Sequence, residues 1–394
     1  MREVVIVSAV RTAIGKFGGA LTEVPATELG ACVIREALRR SNVTPAEVNE
    51  VIMGHVLQAG AGLNGARQAA LKAGLPVAVP AFTVNKVCAS GMKAVALGAL
   101  SIASGENRVV VAGGMENMSA APFVLAKARW GYRLGDGQLL DTVLSEALTD
   151  PGESCHMGLT AENVAADLGI TRGAQDEFAA RSQRRAADAV KAGKFKSEIV
   201  PVEIPQKRGP PLRFDADEHP RPDSTVEILA KLKPAFKPDG TVTAGNASGL
   251  NDGAAALVLM SAEEASRRGL RPLARIAGYA SAGVPPSRMG LGPVPATRSA
   301  LAKAGLTLAD IGVLELNEAF AAQSLGVIRE LGLDESKVNL NGGAIALGHP
   351  VGASGARILV TLLHLMAAQR TPLGLAALCV GGGQGMAMVV EKAG

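Results

Sequence analysis

Two stretches of this chain share one pattern: IREALRRSNVTPAEVNEVIMG at residues 34–54 and TRSALAKAGLTLADIGVLELN at residues 297–317. Identical residues stand at five aligned pairs: Arg35/Arg298, Ala37/Ala300, Leu38/Leu301, Thr44/Thr307 and Ala46/Ala309. In each stretch an amphipathic helix pattern runs through a short turn into a β-branched, apolar strand. The pattern therefore predicts the same helix–turn–strand unit twice.

Two further pairs of segments extend the repeat in the same order. CASGMKAVAL (88–97) and GASGARILVT (352–361) share Ala-Ser-Gly, followed by a basic residue, and VVVAGGM (109–115) resembles LCVGGGQ (378–384). Chance similarity between Ala/Gly-rich segments is the alternative explanation. Strand–helix alternation in both copies favours an α/β fold with mostly parallel sheets and helices on their faces.

The repeat divides the chain into three regions. Residues 1–120 are predicted to form an N-terminal α/β half, and residues 266–394 the C-terminal half. A strand around residues 250–265 is predicted to return to the N-terminal half. Residues 121–249 are more charged and irregular, with a helical patch and a proline-rich stretch at 201–222. We predict that they form a loop domain inserted near the end of the first half.

Composition excludes several classes of protein. The 394 residues are 48% hydrophobic and 19% charged, which argues against disorder. The net charge of +4 is too small and too evenly spread to indicate nucleic-acid binding. Four separated cysteines without a C-x-x-C pair favour free thiols in a reducing compartment.

Two apolar segments have some features of targeting or membrane segments. The N-terminal run is too short for a signal peptide and is expected to be a first buried strand, which favours a cytoplasmic location. Residues 371–390 carry no charge and could span a bilayer, but Pro372 and five glycines interrupt them. We predict two strands around a glycine turn there, and no membrane partner.

Cys88 and His349 are the first candidate catalytic residues. Cys88 lies where the β-like run FTVNKV meets an apolar helix, so the helix dipole is expected to lower its thiol pKa from ~8.5. His349 lies in a tight loop before a helix, where an imidazole could accept a proton or hydrogen-bond a carbonyl oxygen. For both residues a purely structural role is the alternative. No metal site is expected at His349, because no second ligand stands at suitable spacing.

Cys379 and Asn317 follow apolar strands in the second copy. Cys379 precedes three glycines, whose backbone N–H groups can approach an oxyanion closely. These glycines match neither G-x-G-x-x-G nor a G-x-x-x-x-G-K phosphate loop, so a nucleotide-phosphate site is excluded. Asn317 carries both a hydrogen-bond donor and an acceptor.

Taken together, these motifs resemble the thiolases over essentially the whole chain. The segments that carry the resemblance are VNKVCASGMKA (84–94), HMGLTAENVA (156–165), TAGNASGLNDGAA (243–255), NEAF (317–320), GGAIALGHPVGASGAR (342–357) and CVGGGQG (379–385). The resemblance implies a duplicated αβαβα layered fold, with two similar mixed-sheet halves and an inserted loop domain that binds coenzyme A (CoA).

The resemblance also implies a role for each catalytic candidate. Cys88 would be the nucleophile that becomes acylated. His349 would activate Cys88 and form one oxyanion hole with a water held by Asn317. Cys379 would be the acid/base that exchanges a proton with the methyl carbon of the second acetyl group or with the leaving CoA. The backbone N–H groups of Cys88 and Gly381 would form the second oxyanion hole.

Six further residues are expected, by the same resemblance, to contact the substrate. Ser248 and Arg221 would contact CoA, His156 and Met157 would form the pocket wall, Met289 would narrow the acyl pocket, and Phe320 would line it.

The implied reaction is the reversible Claisen condensation of two acetyl-CoA to acetoacetyl-CoA and CoA. Acyl-CoA compounds are then the partners, and neither a metal nor an organic cofactor is required, because CoA is substrate and product. The implied assembly is a homotetramer built from dimers, with residues 126–141 supplying the tetramer contact.

Several alternative functions remain at this point. A broader-range 3-ketoacyl-CoA thiolase of fatty-acid β-oxidation would have a wider pocket, and Gln384 departs from the Met of many acetoacetyl-specific members. A decarboxylating synthase would use one cysteine with two histidines, or with a His and an Asn. A non-catalytic relative would lack part of the catalytic set.

Overall fold

The computed structural model describes residues 2–393, which form one mixed sheet of eleven strands together with helices and short ribbons. The nine strands on the main path are β1 (Val4–Thr12), β2 (Glu50–Gly54), β3 (Ala81–Val84), β4 (Val109–Asn117), β5 (Asn251–Ser261), β6 (Ala274–Gly283), β7 (Val313–Leu316), β8 (Leu373–Val380) and β9 (Gln384–Lys392). Their order across the sheet is β7-β8-β9-β6-β1-β5-β4-β2-β3. Short strands at Gly15–Lys16 and Ile199–Val200 pair with β5 and β1.

The sheet confirms the duplication. The first half has the order β1-β5-β4-β2-β3 and the second half has β6-β9-β8-β7. An isolated parallel bridge between Leu314 and Val338 stands where the fifth strand would be. In the first half β2 runs parallel to β4 and β3, and at the equivalent place in the second half β7 runs parallel to β8. The other neighbours run antiparallel, so the sheet is mixed and the expectation of mostly parallel sheets is wrong. One feature was not predicted: β1 pairs with β6 at Val5–Arg275 and Ile6–Ala274, which joins the half-sheets edge to edge.

Helices cover both faces of each half-sheet. Their bounds are α1 (Ala26–Ser41), α2 (Gly65–Lys72), α3 (Ser90–Ser104), α4 (Met157–Asp167), α5 (Arg172–Lys191), α6 (Val226–Leu229), α7 (Ala262–Arg267), α8 (Pro293–Ala304), α9 (Ala321–Leu331), α10 (Ala344–Leu347) and α11 (Val351–Gln369). Helices α3 and α11 share one buried cluster with strands of both halves, while α1 and α2 cover the outer face of the first half and α8 and α9 that of the second. This layering confirms the predicted αβαβα fold.

The repeated Ala-Ser-Gly brings the two central helices together at their first turns. A Cβ atom on Gly91 would lie 2.8 Å from the backbone N of Ala356, and one on Gly355 would lie 2.6 Å from that of Met92. Only glycine leaves room for so close a backbone approach. The loops that precede α3 and α11 are therefore held side by side, and these loops carry Cys88 and His349.

Two other local predictions are confirmed, namely the short turn within each repeat and the two strands within residues 371–390. Thr44 and Thr307 each begin a 3₁₀ turn with a capping box, completed by Glu47 and Asp310 respectively. The uncharged segment 371–390 forms most of strands β8 and β9 around the turn at Gly381.

Helices α4 and α5 of the intervening region pack against α9 and share its hydrophobic cluster. The other short elements are antiparallel ribbons Phe123–Val124/Leu140–Asp141, Thr149–Asp150/Cys155–His156 and Val202–Ile204/Leu212–Phe214, a π-helical turn Val143–Leu148, and 3₁₀ turns Pro45–Glu47, Ala128–Trp130, Pro286–Leu291, Leu308–Asp310 and Glu335–Lys337. Two helical windows, Val87–Ser104 and Val351–Gln369, are long and apolar enough to cross a membrane, and 56% and 83% of them are buried inside the fold.

Candidate active site

A cavity of about 490 Å³ opens where the starts of α3 and α11, the end of β8 and the intervening region meet. Its wall is mostly apolar, with a few polar groups, as is usual for a small-molecule site. Of the residues predicted from the sequence, those that line it are Cys88, His349, Cys379, Gly381, Ser248, Arg221, His156, Met157, Met289 and Phe320. The structure therefore brings both halves and the intervening region to one point.

Cys88 stands on a sharp turn between β3 and α3. The preceding Val87 has φ +47°, a left-handed conformation that is strained for a β-branched residue. The hydroxyl of Ser90 holds this turn, because it accepts a hydrogen bond from Lys86 N (2.8 Å) and donates one to Val87 O (2.6 Å). The local structure thus fixes the direction of the thiol.

The expected lowering of the Cys88 pKa is wrong for the free protein. Burial raises the pKa of the thiol to about 11, and the charge of Glu116 acts in the same direction. Hydrogen bonds from the backbone N–H groups of Gly381 and Cys88 itself oppose this shift without cancelling it. Removal of the thiolate from water outweighs the stabilisation offered at the start of the helix.

His349 lies in a turn that begins at Gly348 (φ +105°) and leads into α11. Its Nδ1 is 2.6 Å from the hydroxyl of Ser354, which donates a hydrogen bond to Pro350 O at 2.9 Å. Because that hydroxyl has a single proton, this arrangement assigns the ring proton to Nδ1 and leaves a lone pair on Nε2. Burial lowers the pKa of His349 to about 3, and the charge of Arg357 adds to this.

Asn317 follows β7 and lies behind the histidine. Its Nδ2 is 3.4 Å from His349 Nε2, and its Oδ1 is buried without a hydrogen-bond partner among the described residues. An unpaired buried amide oxygen is costly unless a water or ligand atom meets it. The position therefore suits an amide that holds a water near the imidazole.

Cys379 is the penultimate residue of β8 and lies just before the glycine turn. Burial raises its pKa well above the usual value, and a negative charge on Cys88 raises it further. Gly382 and Gly383 have φ values of +81° and +75°, and a Cβ on Gly383 would lie 2.3 Å from Val284 O. The turn thus requires glycine, and it presents the N–H of Gly381 to the Cys88 sulfur.

The far wall of the cavity is aromatic and sulfur-rich. The rings of His156 and Phe236 stack with centroids 4.6 Å apart, and Phe236 meets Phe320 edge-on at 6.1 Å. Met157 and Met289 complete this wall and are almost fully buried. Such a surface accommodates a short apolar group and offers little room beyond it.

The mouth of the cavity is basic. Arg221 and Lys16 supply the positive charge, and beside them lies His219, whose pKa burial lowers to about 4. Neither Lys16 nor His219 was predicted from the sequence. Ser248 also lies there, and its backbone N–H donates to Ala319 O at 2.9 Å. Cations at the mouth suit a ligand that carries phosphates on one end and a thioester on the other.

Two domains of one known protein family together match almost the whole chain. The N-terminal domain of the thiolases matches residues 4–263 and the C-terminal domain matches residues 270–392. The chain belongs to the thiolase family.

Curated members of the thiolase family resemble it from end to end. A protein of Cupriavidus necator named acetyl-CoA acetyltransferase is 60% identical over 392 residues, and one of Escherichia coli with the same name is 60% identical over 393, with 100% of each chain covered in both cases. The crystal structure of the Bacillus anthracis acetyl-CoA acetyltransferase matches with a TM-score of 0.98 and 51% identity, covering 100% of this chain and 99% of that one.

Several polar residues that support this thiolase site were missed from the sequence. Ser354 lies within the repeated Ala-Ser-Gly, a pattern that indicates a repeat but no role for the hydroxyl. Lys86 donates a hydrogen bond to Gln384 and so ties the loop of Cys88 to the glycine turn. Glu116 is fully buried and accepts backbone hydrogen bonds from Val56, Leu57 and Gly352 at 2.8–3.2 Å. Burial raises the pKa of Glu116 to about 7.

Proposed function

We propose that this chain is an acetyl-CoA C-acetyltransferase, which condenses two acetyl-CoA reversibly to acetoacetyl-CoA and CoA through an acyl group on Cys88. The observation that carries the proposal is the convergence of two thiols, one imidazole and the N–H of Gly381 on one narrow cavity. The names of the relatives that match from end to end support the choice of substrate.

In the first half-reaction Cys88 attacks the thioester carbon of acetyl-CoA. The thiol proton passes to His349 Nε2, and the leaving CoA sulfur takes a proton from Cys379. The products are acetyl-Cys88 and free CoA, and the site then holds an imidazolium beside the Cys379 thiolate. Neither charge exists before substrate binds, because burial favours the neutral form of each group.

In the second half-reaction Cys379 takes a proton from the methyl carbon of a second acetyl-CoA. The resulting enolate attacks the acetyl carbonyl, the Cys88 sulfur leaves, and the imidazolium returns its proton to that sulfur. All three groups recover their starting protonation. One oxyanion would be held by His349 and a water on Asn317, and the other by the N–H groups of Cys88 and Gly381. Donors of this kind each contribute roughly 10²–10³ in rate.

The chain-length range is proposed to be short, because Met157, Met289 and Phe320 close the far wall of the cavity. The test is CoA-dependent thiolysis of 3-ketoacyl-CoA substrates from four carbons upwards, with wild type beside Cys88→Ala and Cys379→Ala. We expect activity confined to the shortest substrates and abolished by both substitutions. Comparable rates with long chains would assign the protein to the β-oxidation class, and no thiolysis by folded wild type would refute the proposal.

The remaining properties are also proposals. We propose a homotetramer built from dimers, in which residues 126–141 contact another copy. The large apolar side chains of Trp130 and Leu134 support this, being 87% and 98% exposed. Light scattering of wild type beside Trp130→Ser/Leu134→Ser tests it, and an unchanged tetramer would contradict the role of this segment. A cytoplasmic location, the absence of nucleic-acid and membrane partners, and independence of any cofactor stay predictions.

A further inference from the structure

The imidazole of His349 is oriented by a neutral group. Ser354 is fully buried in the first turn of α11, and its hydroxyl lies 2.6 Å from Nδ1 and 2.9 Å from Pro350 O. The other hydrogen-bond partner recorded for the ring within residues 2–393 is the amide of Asn317, at 3.4 Å. A hydroxyl and an amide orient a ring, but neither offers the negative charge that a carboxylate would.

The charged groups around this ring do not favour an imidazolium in the free protein. The buried Arg357, one turn further along α11, disfavours a second positive charge. Glu116 bonds to the N–H of Gly352 and to backbone groups of another loop, not to the ring. The other titratable groups that line the cavity with His349 are the thiols Cys88 and Cys379 and the basic residues Lys16, His156, His219 and Arg221. None of these basic residues offers the ring a negative charge.

We propose that Ser354 is a positioning residue that fixes the ring of His349 with Nε2 as its proton acceptor and keeps the Cys88–His349 pair uncharged until substrate binds. The proposal deepens the function given above and rests on the nucleophile and base assigned there. When a carboxylate holds the histidine, as in many triads, it orients the ring and also stabilises the imidazolium. A serine in that place supplies orientation alone.

A neutral pair has a chemical consequence for the resting protein. The thiolate is the form of cysteine that reacts with electrophiles and oxidants, and it accumulates when a charged histidine lies beside it. With a neutral partner the thiol keeps its proton at physiological pH. Substrate can still be attacked, because the proton moves to Nε2 during the attack itself.

The experiment measures alkylation of Cys88 by iodoacetamide between pH 5 and pH 10, with the modified cysteine identified by peptide mass spectrometry. Wild type is compared with Ser354→Asp, which replaces the hydroxyl by a carboxylate. We expect the wild-type rate to rise about tenfold per pH unit up to pH 9 with no plateau at neutral pH. Ser354→Asp is expected to react at least about tenfold faster at pH 6.

Ser354→Ala tests the orienting role, with Ser324→Ala as a matched control that also removes a fully buried hydroxyl from a helix. We expect kcat for thiolysis to fall about 10–100-fold in Ser354→Ala with KM unchanged, and Ser324→Ala to stay near wild type. The Ser354→Ala alkylation profile should match that of wild type, since no charge has been added.

Two results would overturn the inference. A plateau in the wild-type alkylation rate below pH 7 would show that the resting pair is already charged, and this measurement needs no variant to fold. Equal kcat in Ser354→Ala and Ser324→Ala would remove the positioning role. A folded wild type with no thiolysis but a steadily rising alkylation profile would instead refute the proposed reaction and leave the neutral pair standing.

Discussion

Met289 is expected to set the acyl length that the cavity admits. Its side chain lines the cavity and is 3% exposed. Replacing it by Ala removes three heavy atoms beyond Cβ, which leaves room for the two extra methylene groups of a six-carbon 3-ketoacyl chain. At ~0.8 kcal/mol per buried methylene, the longer chain gains ~1.6 kcal/mol. That energy corresponds to a factor of about 15 in the ratio of kcat/KM for the six- and four-carbon substrates.

The assay is thiolysis of both substrates by wild type, Met289→Ala and Met260→Ala. Met260 is also fully buried, but it belongs to the hydrophobic core of the N-terminal half and does not line the cavity. Both substitutions are expected to lower the free energy of unfolding, since Met→Ala in a core typically costs ~2–5 kcal/mol. Only Met289→Ala should change the substrate ratio. An unchanged ratio in Met289→Ala, or the same rise in Met260→Ala, would refute this account of chain-length selection.

Three further predictions concern the supports of the site. Lys86→Met should lower kcat about tenfold, because the glycine turn loses its hydrogen bond to the loop of Cys88, and Gln384→Met should do the same. The double variant should be no slower than either single variant, because both substitutions break the same bond. Additive losses would contradict this coupling. His349→Asn should reduce the acid sensitivity of folding. Burial keeps the native imidazole neutral, with a pKa of about 3. In the unfolded chain the same imidazole gains a proton below pH ~6.5. The free energy of unfolding of the wild type is therefore highest above that pH and falls by about 2 kcal/mol between pH 7 and pH 5. Urea unfolding at both pH values checks this, and equal losses in wild type and variant would refute it. Finally, prolonged dialysis against EDTA should leave thiolysis unchanged, because each proposed charge is met by a side chain or a backbone N–H; a loss restored by added metal would contradict this.

Much of the fold could be predicted because each repeated unit is one continuous stretch of sequence. Each half repeats a helix, a turn and a strand within about twenty residues, and each turn begins at one of the aligned threonines, Thr44 or Thr307. The positions of Cys88, His349 and Cys379 at the ends of strands and helices follow from the same periodicity. The edge-to-edge pairing of Val5 with Arg275 could not be predicted, since it depends on how two complete half-sheets meet.

The electrostatics of the site were the least predictable part. The position of Cys88 at the start of α3 predicted a lowered thiol pKa, but the pKa is raised. What decides the pKa is burial of the thiol in a cavity whose lining residues, such as Met157 and Phe320, are far apart in sequence. Similarly, Lys86 and Gln384 are 298 residues apart, and neither residue alone shows a pattern that pairs them. Burial and long-range contacts of this kind have no signature in a short sequence window.

The duplication itself explains how one site obtains both a nucleophile and a base. Ser90 and Ser354 occupy the same repeat position at the starts of α3 and α11. The hydroxyl of Ser90 holds the turn that carries Cys88, and that of Ser354 contacts the ring of His349.

Glycines at the next repeat position bring these two helix starts into contact. The repeat position of Cys88 is occupied by Gly352 in the second copy, and that of His349 by Asn85 in the first. In each copy a serine hydroxyl orients the loop that precedes the helix. Because the two helix starts are in contact, one reactive side chain on each loop is therefore enough to form a catalytic pair.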